Sequence, residues 1–288
     1  MRSVALYVTT VLIWGTSWLA ITYQLGTVDP MVSVAYRFIL ATVIMHGLCW
    51  AQRRPMRYSR RDHCFLALQG ASLFALNYWL FYIAELHIAS GLAAVVFSTI
   101  IVWNMLIGAV WIRHPLDRRV LLGAGLGLFG ICLVFWPEVA GFEADEYGLY
   151  GLVLSVVATI LASLGNIASA RNQKAGISVM ASNAWAMTYG AGLMLLLALA
   201  SGKPFGFEAT PLYVGALLYL SVFASVIAFW SYLTLVGEIG PDRAAYATLF
   251  FPLVALGLST TFEDYVWTLP AVIGVGFTLG GNLLILKR

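Results

Sequence analysis

An amide and two phenols lie on one face of a predicted helix. Asn77, Tyr78, Phe81 and Tyr82 occupy positions within an apolar run whose spacing places all four on one side of an α-helix. Lipid offers no hydrogen-bond partner to an amide or a phenol, so we expect this face to turn inwards. Rings that stack on a solute, beside polar groups that orient it, are typical of a binding site. The pattern therefore predicts a site for a small amphipathic molecule.

Other uncharged polar or aromatic residues lie within the apolar runs and are further candidates for binding substrate. Their rings could also hold an organic cation by cation–π attraction. For any single ring, contact with lipid or a place in the interfacial aromatic belt is the alternative. The additional candidates are Trp14, Ser17, Ser98, Trp103, Ser163, Asn166, Trp185, Tyr189, Phe229, Trp230, Tyr246 and Phe250.

Two further residues stand out within the apolar runs. Arg37 lies about 9 Å from the outer end of its run at the helical rise per residue. It could bind a substrate carboxylate, or its side chain could reach outwards and bond to carbonyl oxygens of a neighbouring helix end. Pro252 is expected to interrupt a helix and permit a kink. No acidic residue falls in the central part of an apolar run. This favours facilitated or exchange transport over proton antiport, with a cavity that lacks fixed charge.

The composition is that of an integral membrane protein. Sixty-one per cent of the residues are hydrophobic and ten per cent are charged, against roughly 45–50% and 25% in soluble domains. The basic residues lie in short connections and form no stripe, which argues against nucleic-acid binding. Cys49, Cys64 and Cys132 have no metal-ligand spacing, so we expect neither a metal nor a cofactor. The first apolar run lacks a cleavage site and is expected to be retained.

Ten windows are long and apolar enough to cross a bilayer as helices. The sequence therefore predicts an all-α integral membrane fold. The windows are residues 3–22, 31–51, 64–86, 91–112, 119–136, 148–170, 179–200, 211–235, 243–262 and 267–286.

The basic residues also predict the orientation. Fourteen of the sixteen lysines and arginines fall at the termini or in the even-numbered connections, and cytoplasmic connections collect such residues. Both termini are thus predicted to be cytoplasmic.

The fifth and tenth windows share a pattern of glycine and leucine. The run from Gly123 to Leu133 is echoed 151 residues later by the run from Gly274 to Leu284, with five of eleven positions identical. This indicates a duplicated unit, residues 1–136 and 148–288. Five spans per unit is an odd number, so the second copy should cross in the opposite sense, as in secondary transporters with a central cavity between inverted repeats.

Several motifs resemble those of a known superfamily. The run Leu-Ile-Trp-Gly-Thr-Ser at 12–17, the run Tyr-Arg-Phe-Ile-Leu-Ala at 36–41 and the glycine-patterned helices resemble drug/metabolite transporters of the EamA type. Overall length and an aromatic-rich third span are most similar to the bacterial aromatic amino acid exporters. One departure is at the end of the fourth helix of each copy: the second copy has Phe262-Glu263, as is usual in the family, and the first has Trp111-Ile112-Arg113.

The resemblance implies a multi-pass protein of the bacterial inner membrane that exports aromatic and other large neutral amino acids by alternating access. It also implies an arginine at position 37 in transporters of different substrates, which favours a structural or gating role for Arg37 over binding of a substrate carboxylate. The alternatives are the same kind of carrier for a lipophilic cation, a sugar conjugate or another metabolite, and a passive channel. A membrane-embedded enzyme is disfavoured because the sequence has no His-Glu-x-x-His and no Gly-x-Ser-x-Gly motif. The glycine-patterned helices suit a monomer or a homodimer.

Overall fold

The structure is a computed structural model. It describes residues 2–24, 26–88, 90–111, 117–142, 145–251, 253–254 and 267–286, and within these ranges the regular structure is entirely helical. Pro252, Arg113 and Glu263 lie outside the described residues. The predicted all-helical class is confirmed for the part of the chain that is described.

The first half of the chain forms five long helical regions, the fourth of which is divided into two helices, and it ends in one short helix. Its helices are α1 (Arg2–Thr22), α2 (Pro30–Ala51), α3 (Arg60–Ala84), α4 (Ser90–Ser98), α5 (Ile100–Trp111), α6 (Arg118–Val134) and α7 (Trp136–Ala140). Thr99 separates α4 from α5 within the fourth predicted window.

The second half follows the same plan. Its elements are α8 (Glu146–Lys174), α9 (Val179–Ala200), α10 (Pro211–Ile239), α11 (Pro241–Ala245), a 3₁₀ turn (Tyr246–Phe250) and α12 (Leu269–Leu286). The ninth predicted window is described only in its first part. Among the described residues, five helices are long and apolar enough to cross a membrane, namely α2, α3, α8, α9 and α10.

Side-chain caps fix where several of these helices begin. The Ser178 side chain accepts a hydrogen bond from the Ala181 amide at the start of α9, and the Asp145 carboxylate accepts one from Gly148 at the start of α8. Each cap satisfies an amide that has no partner within the helix. The caps therefore mark where each connection ends and the following apolar helix begins.

Helix starts in the two halves repeat at the 151-residue offset found in the sequence. Three pairs of helices begin at residues separated by that offset, which supports a common architecture in the two halves. The paired first residues are Arg60 and Pro211, Ser90 and Pro241, and Arg118 and Leu269.

A π-helical stretch interrupts the third helix of each half. In α3 it spans Ser72–Leu76, and in α10 it spans Leu220–Ile227. Shifted by the same offset, the first stretch falls on 223–227, inside the second. A π turn adds a residue to the helix turn and rotates every later side chain. Both stretches therefore set which residues face inwards beyond them.

The last helices of the two halves pack on each other through glycine. A Cβ added at Gly130 of α6 would lie 2.5 Å from the Gly274 carbonyl oxygen of α12, too close for an atom to fit. The Thr278 hydroxyl donates to that same carbonyl at 3.0 Å. The glycine faces thus bring two backbones of the same chain together, as small residues do between membrane helices.

The remaining helices surround a buried centre. α2 packs along α9, α3 packs against α8 and α9, and α1 packs on α10. Because each of these contacts joins a helix of the first half to one of the second, side chains from both halves meet in the interior.

Candidate functional site

A cavity of about 100 Å³ lies between the two halves. Helices α1, α2, α3, α4 and α5 contribute side chains from the first half, and α8, α10 and the segment around Phe251 contribute from the second. Ligand pockets are commonly about 300–1,000 Å³. The described cavity is therefore contracted, and a bulky molecule would require the surrounding helices to separate.

Many of the residues proposed from the sequence line this cavity. All four residues of the face predicted on the third helix line it. Lining residues among the sequence candidates are Trp14, Ser17, Arg37, Asn77, Tyr78, Phe81, Tyr82, Asn166 and Phe229.

Other lining residues were not proposed. Tyr232 stands three residues after Phe229, and Glu85 stands four residues after Phe81, so helical spacing was a signal for both. The remainder are apolar or small and carry no comparable signal. The lining residues not proposed are Ile21, Leu73, Glu85, Phe97, Ile100, Ala162, Tyr232, Thr248 and Phe251.

Trp14 is the centre of an aromatic cluster on one wall. Its ring centroid lies 4.7 Å from that of Phe229, 5.1 Å from that of Tyr232 and 5.3 Å from that of Phe251. The indole N–H donates to the Ala224 carbonyl oxygen at 2.9 Å. That acceptor lies in the π stretch of α10, which makes the indole a link between the halves. The ring is thereby held in one orientation.

Arg37 is buried on α2 with its guanidinium at the cavity. Its Nε donates to the Ser225 hydroxyl at 2.8 Å, and the guanidinium carbon lies 4.7 Å from the Tyr78 ring centroid, within cation–π range. The Nη2 atom stands 3.5 Å from the Tyr78 hydroxyl. Among the described residues, Nη1 has no hydrogen-bond partner and no carboxylate pairs with this arginine.

An amide network adjoins the Trp14 cluster through Tyr232. The Asn166 side chain donates to the Tyr232 hydroxyl at 3.0 Å and stands 3.5 Å from the Asn104 amide oxygen. Asn104 in turn donates to the Pro241 carbonyl oxygen at 2.8 Å. That carbonyl belongs to the first residue of α11. The network therefore connects the cavity wall to the start of the ninth predicted window.

Several buried polar atoms at the cavity lack a partner within the described part of the chain. They are Nη1 of Arg37, Oδ1 of Asn77, the hydroxyl of Tyr82 and Oδ1 of Asn166. Each residue is at most 6% exposed. A buried polar atom without a hydrogen bond costs roughly 1–3 kcal/mol. A molecule in the cavity that formed hydrogen bonds with these atoms would offset that cost.

Glu85 gives the lining a carboxyl group. It is half-buried immediately beyond the end of α3, near the outer end of that helix in the predicted orientation. The sequence placed it close to a membrane surface and predicted a cavity without fixed charge. The cavity instead has a guanidinium and a carboxyl group in its lining. Glu85 lies just beyond the end of α3, where a carboxylate can line a cavity and still have access to water. A position outside the central part of an apolar run therefore does not exclude a carboxyl group from the cavity.

Two proposed aromatic residues lie near the end of α2 instead. The Tyr189 hydroxyl stands 2.9 Å from Nδ1 of His63, and the Trp185 ring packs edge-on against His63 and His46. Trp185 lines an open depression with Trp50, Arg53 and Arg54 among its residues. This region corresponds to the predicted cytoplasmic side.

The other proposed residues do not line the cavity. Tyr246 is fully buried, and its hydroxyl donates to the Gly123 carbonyl oxygen at 2.7 Å. Phe250 packs edge-on against Tyr7 at 6.0 Å. Ser98 and Ser163 are buried, and Trp103 and Trp230 are half-buried.

The comparisons with known proteins agree with this architecture. A model of the EamA-like transporter family matches residues 1–136 and 149–287. The chain belongs to the EamA-like transporter family. It is thereby a multi-pass membrane protein of a transporter family, as the resemblance to drug/metabolite transporters predicted.

Relatives and a solved structure span nearly the whole chain. Protein PagO of Salmonella typhimurium strain LT2 is 23% identical over 100% of this chain and 97% of its own length. The uncharacterized transporter YoaV of Bacillus subtilis strain 168 is 23% identical over 85% of this chain and 83% of its own. A solved crystal structure shares the fold with a TM-score of 0.81 at 17% identity, covering 99% of this chain and 96% of its own.

The described residues offer no grouping of three or more His, Cys, Asp or Glu side chains that could hold a metal ion. The lining of the cavity consists of rings, amides, hydroxyls, apolar side chains and two ionisable groups, those of Arg37 and Glu85. Such a lining can bind and orient a solute.

Proposed function

We propose that the protein is a secondary transporter that moves small amphipathic metabolites, with aromatic and other large neutral amino acids as the favoured cargo. The observation that carries this is a cavity between the two halves of an EamA-family chain. Rings line it, and several of its residues have buried polar atoms without a partner in the described part of the chain. Rings suit an aromatic or aliphatic side chain, and the polar atoms suit its amino and carboxylate groups.

The mechanism we propose is alternating access. Two five-span units, threaded in opposite senses with both termini in the cytoplasm, would rock about the cavity and expose it to either side of a bacterial inner membrane. Repetition of helix starts and π stretches at one offset supports equivalent roles for the two units. The contracted cavity supports a conformational cycle, because bulky cargo requires movement of the walls.

A second candidate cargo is a lipophilic organic cation. Glu85 and the Trp14 cluster favour it, because a carboxylate and ring faces both attract a positive charge. Arg37 opposes it, because a buried guanidinium repels a cation in the same cavity. The amino acid remains our preferred cargo.

Transport by purified protein in liposomes tests the proposal. Radiolabelled phenylalanine, tryptophan, leucine and an aromatic quaternary ammonium ion would be offered to vesicles preloaded with the same unlabelled compound, with and without a pH gradient. We expect saturable uptake of the amino acids, accelerated by the preload. Linear flux that no preload accelerates would instead indicate a passive channel, and acceleration with the ammonium ion alone would reassign the cargo.

The threading has its own test. Single cysteines at positions 60 and 145, placed in a background without native cysteines, would be labelled in intact cells by a reagent that does not cross the membrane. Labelling at 145 alone is expected. Labelling of both positions from outside would contradict the opposite threading of the two units.

A further inference from the structure

Arg37 is a buried positive charge that the protein itself leaves partly unsatisfied. The residue is 1% exposed, its Nη1 has no partner among the described residues, and none of the described carboxylates pairs with it. Burial of an unpaired charge is unfavourable. An anionic ligand in the cavity would offset this cost.

Its neighbours hold the guanidinium in a fixed orientation. Ser225 accepts from Nε, and the rings of Tyr78 and Phe38 lie 4.7 and 5.3 Å from the guanidinium carbon. These contacts engage Nε and place two rings beside the guanidinium. Nη1 remains for a ligand, and the residue lines the cavity. A planar, oriented donor of this kind suits a carboxylate better than a spherical cation or a neutral amide.

The same cavity supplies acceptors as well as donors. The amide oxygens of Asn77 and Asn166 and the hydroxyl of Tyr82 are buried and have no hydrogen-bond partner among the residues that the structure describes. Arg37, Asn77, Tyr82 and Asn166 all line the same cavity of about 100 Å³. An ammonium group could donate to the amide oxygens while a carboxylate accepts from Arg37 and Tyr82.

We infer that Arg37 is the substrate's carboxylate anchor, with Asn77 and Asn166 as acceptors for its amino group. This inference deepens the proposed transport function and rests on it. It makes the substrate class α-amino acids, recognised first by the carboxylate. Arg37 was expected from the sequence to be structural or gating, and its unpartnered Nη1 at the cavity is what favours binding.

Ligand-induced thermal stabilisation of purified protein in nanodiscs separates the relevant groups. The probes are L-phenylalanine, 3-phenylpropionate, which lacks the amine, and 2-phenylethylamine, which lacks the carboxylate, each at equal concentration in chloride buffer. A ligand that binds only the folded protein raises Tm. We expect the largest rise with phenylalanine, a smaller rise with phenylpropionate and none with phenylethylamine. A rise with phenylethylamine that equals that of phenylalanine would overturn the inference, as would no rise with either carboxylate.

Variants add a second readout. Arg37→Gln should abolish the rise with both carboxylates, and Arg37→Lys should retain a small part of it. The matched control is Arg171→Gln: Arg171 also stacks on a ring, that of Phe65 at 4.0 Å, but pairs with Asp62 and does not line the cavity. Arg171→Gln should keep the wild-type response. A full response in Arg37→Gln overturns the inference, and if that variant fails to fold, the three ligands on wild-type protein still decide it.

Failure of the inference can be told from failure of the transport proposal. If phenylalanine shows preload-accelerated uptake but phenylethylamine stabilises the protein equally, transport stands and the carboxylate anchor is wrong. If phenylalanine stabilises wild-type protein through Arg37 but no labelled amino acid shows preload-accelerated uptake, the anchor stands and the transport proposal is wrong. When chloride is replaced with gluconate, the three ligands must keep the same order in the rise in Tm. A different order would mean that an inorganic anion binds to Arg37.

Discussion

The hydroxyl of Tyr246 donates a hydrogen bond to the carbonyl oxygen of Gly123 at 2.7 Å. Tyr246 begins the 3₁₀ turn of the second half, and Gly123 lies in α6 of the first half. The absence of a side chain at Gly127 and Gly281 leaves room for the phenol, because a Cβ at either position would overlap its hydroxyl. The two halves are therefore joined where glycine permits a tyrosine to reach a backbone carbonyl.

The close packing of α6 on α12 predicts a position-specific response to alanine. Gly130→Ala would place a methyl group against the backbone of Gly274, and overpacking of this kind costs roughly 1–3 kcal/mol. We expect a fall of several degrees in Tm of the purified protein. Gly125→Ala on the same helix is the control, since nothing lies within 4 Å of its added Cβ and Tm should be unchanged or slightly raised. Equal effects of the two changes would contradict the packing.

The polar face of α3 predicts loss of transport without loss of folding. Asn77→Ala removes an amide whose oxygen has no partner in the described chain, and Tyr82→Phe removes a hydroxyl that has none, so stability should change little. Transport should fall by tenfold or more, measured as initial uptake into proteoliposomes at matched protein content. Tyr147→Phe, at an exposed position on α8, is the control. Wild-type rates in both cavity variants would place the binding site elsewhere.

Glu85 predicts an effect that depends on the charge of the cargo. Glu85→Gln keeps the size of the side chain and removes its negative charge from the cavity lining. Binding of an aromatic quaternary ammonium ion should weaken severalfold, because an attraction between opposite charges is lost. The expected change for 3-phenylpropionate is an equal or tighter affinity. Both are measured by the shift in Tm with ligand concentration. Weaker binding of both ligands would mean that Glu85 supports the shape of the cavity instead.

The Asp117–Arg243 pair predicts a dependence of stability on pH. The Arg119 amide and the Arg243 guanidinium, 2.7 Å away, both bond to the carboxylate and hold the pKa of Asp117 below its usual range. Such a group stabilises the folded state above its unfolded pKa, and the contribution is lost as pH falls through the lower folded value. Asp117→Asn keeps an N-cap and removes the charge. Its Tm should lie slightly below wild type at pH 7, and the gap should close below about pH 4. A gap that stays constant with pH would contradict this role.

Hydropathy predicted the positions of the helices well because the requirement for apolar length is a local property of the sequence. The predicted window 179–200 coincides with α9, and the predicted starts of α2 and α6 are one residue from those observed. The start of α3 differs more, at Arg60 instead of residue 64. The Ser59 hydroxyl accepts from the Asp62 amide and extends the helix by a polar turn, which a hydropathy window excludes.

The cavity lining was harder to predict because it depends on helix rotation and on which helices meet. The four-residue face of α3 follows from spacing alone. Tyr246 has the same chemistry as Tyr82, but it faces a glycine groove. Whether a phenol meets a cavity or a backbone carbonyl is decided by the opposite helix. The π stretches add to this difficulty, because the extra residue in the turn rotates the later side chains of α3 and α10. No residue pattern in the sequence indicated these stretches.

Because the central cavity is small, the size of a substrate determines how far the helices must move to enclose it. Leucine and tryptophan would share the same contacts for their amino and carboxylate groups, but the larger ring requires α3 and α10 to move further apart before it is enclosed. Selectivity along a series of side chains would then arise from how readily the bundle expands. A substitution on the outer surface that stiffens these helices should reject the largest cargo first.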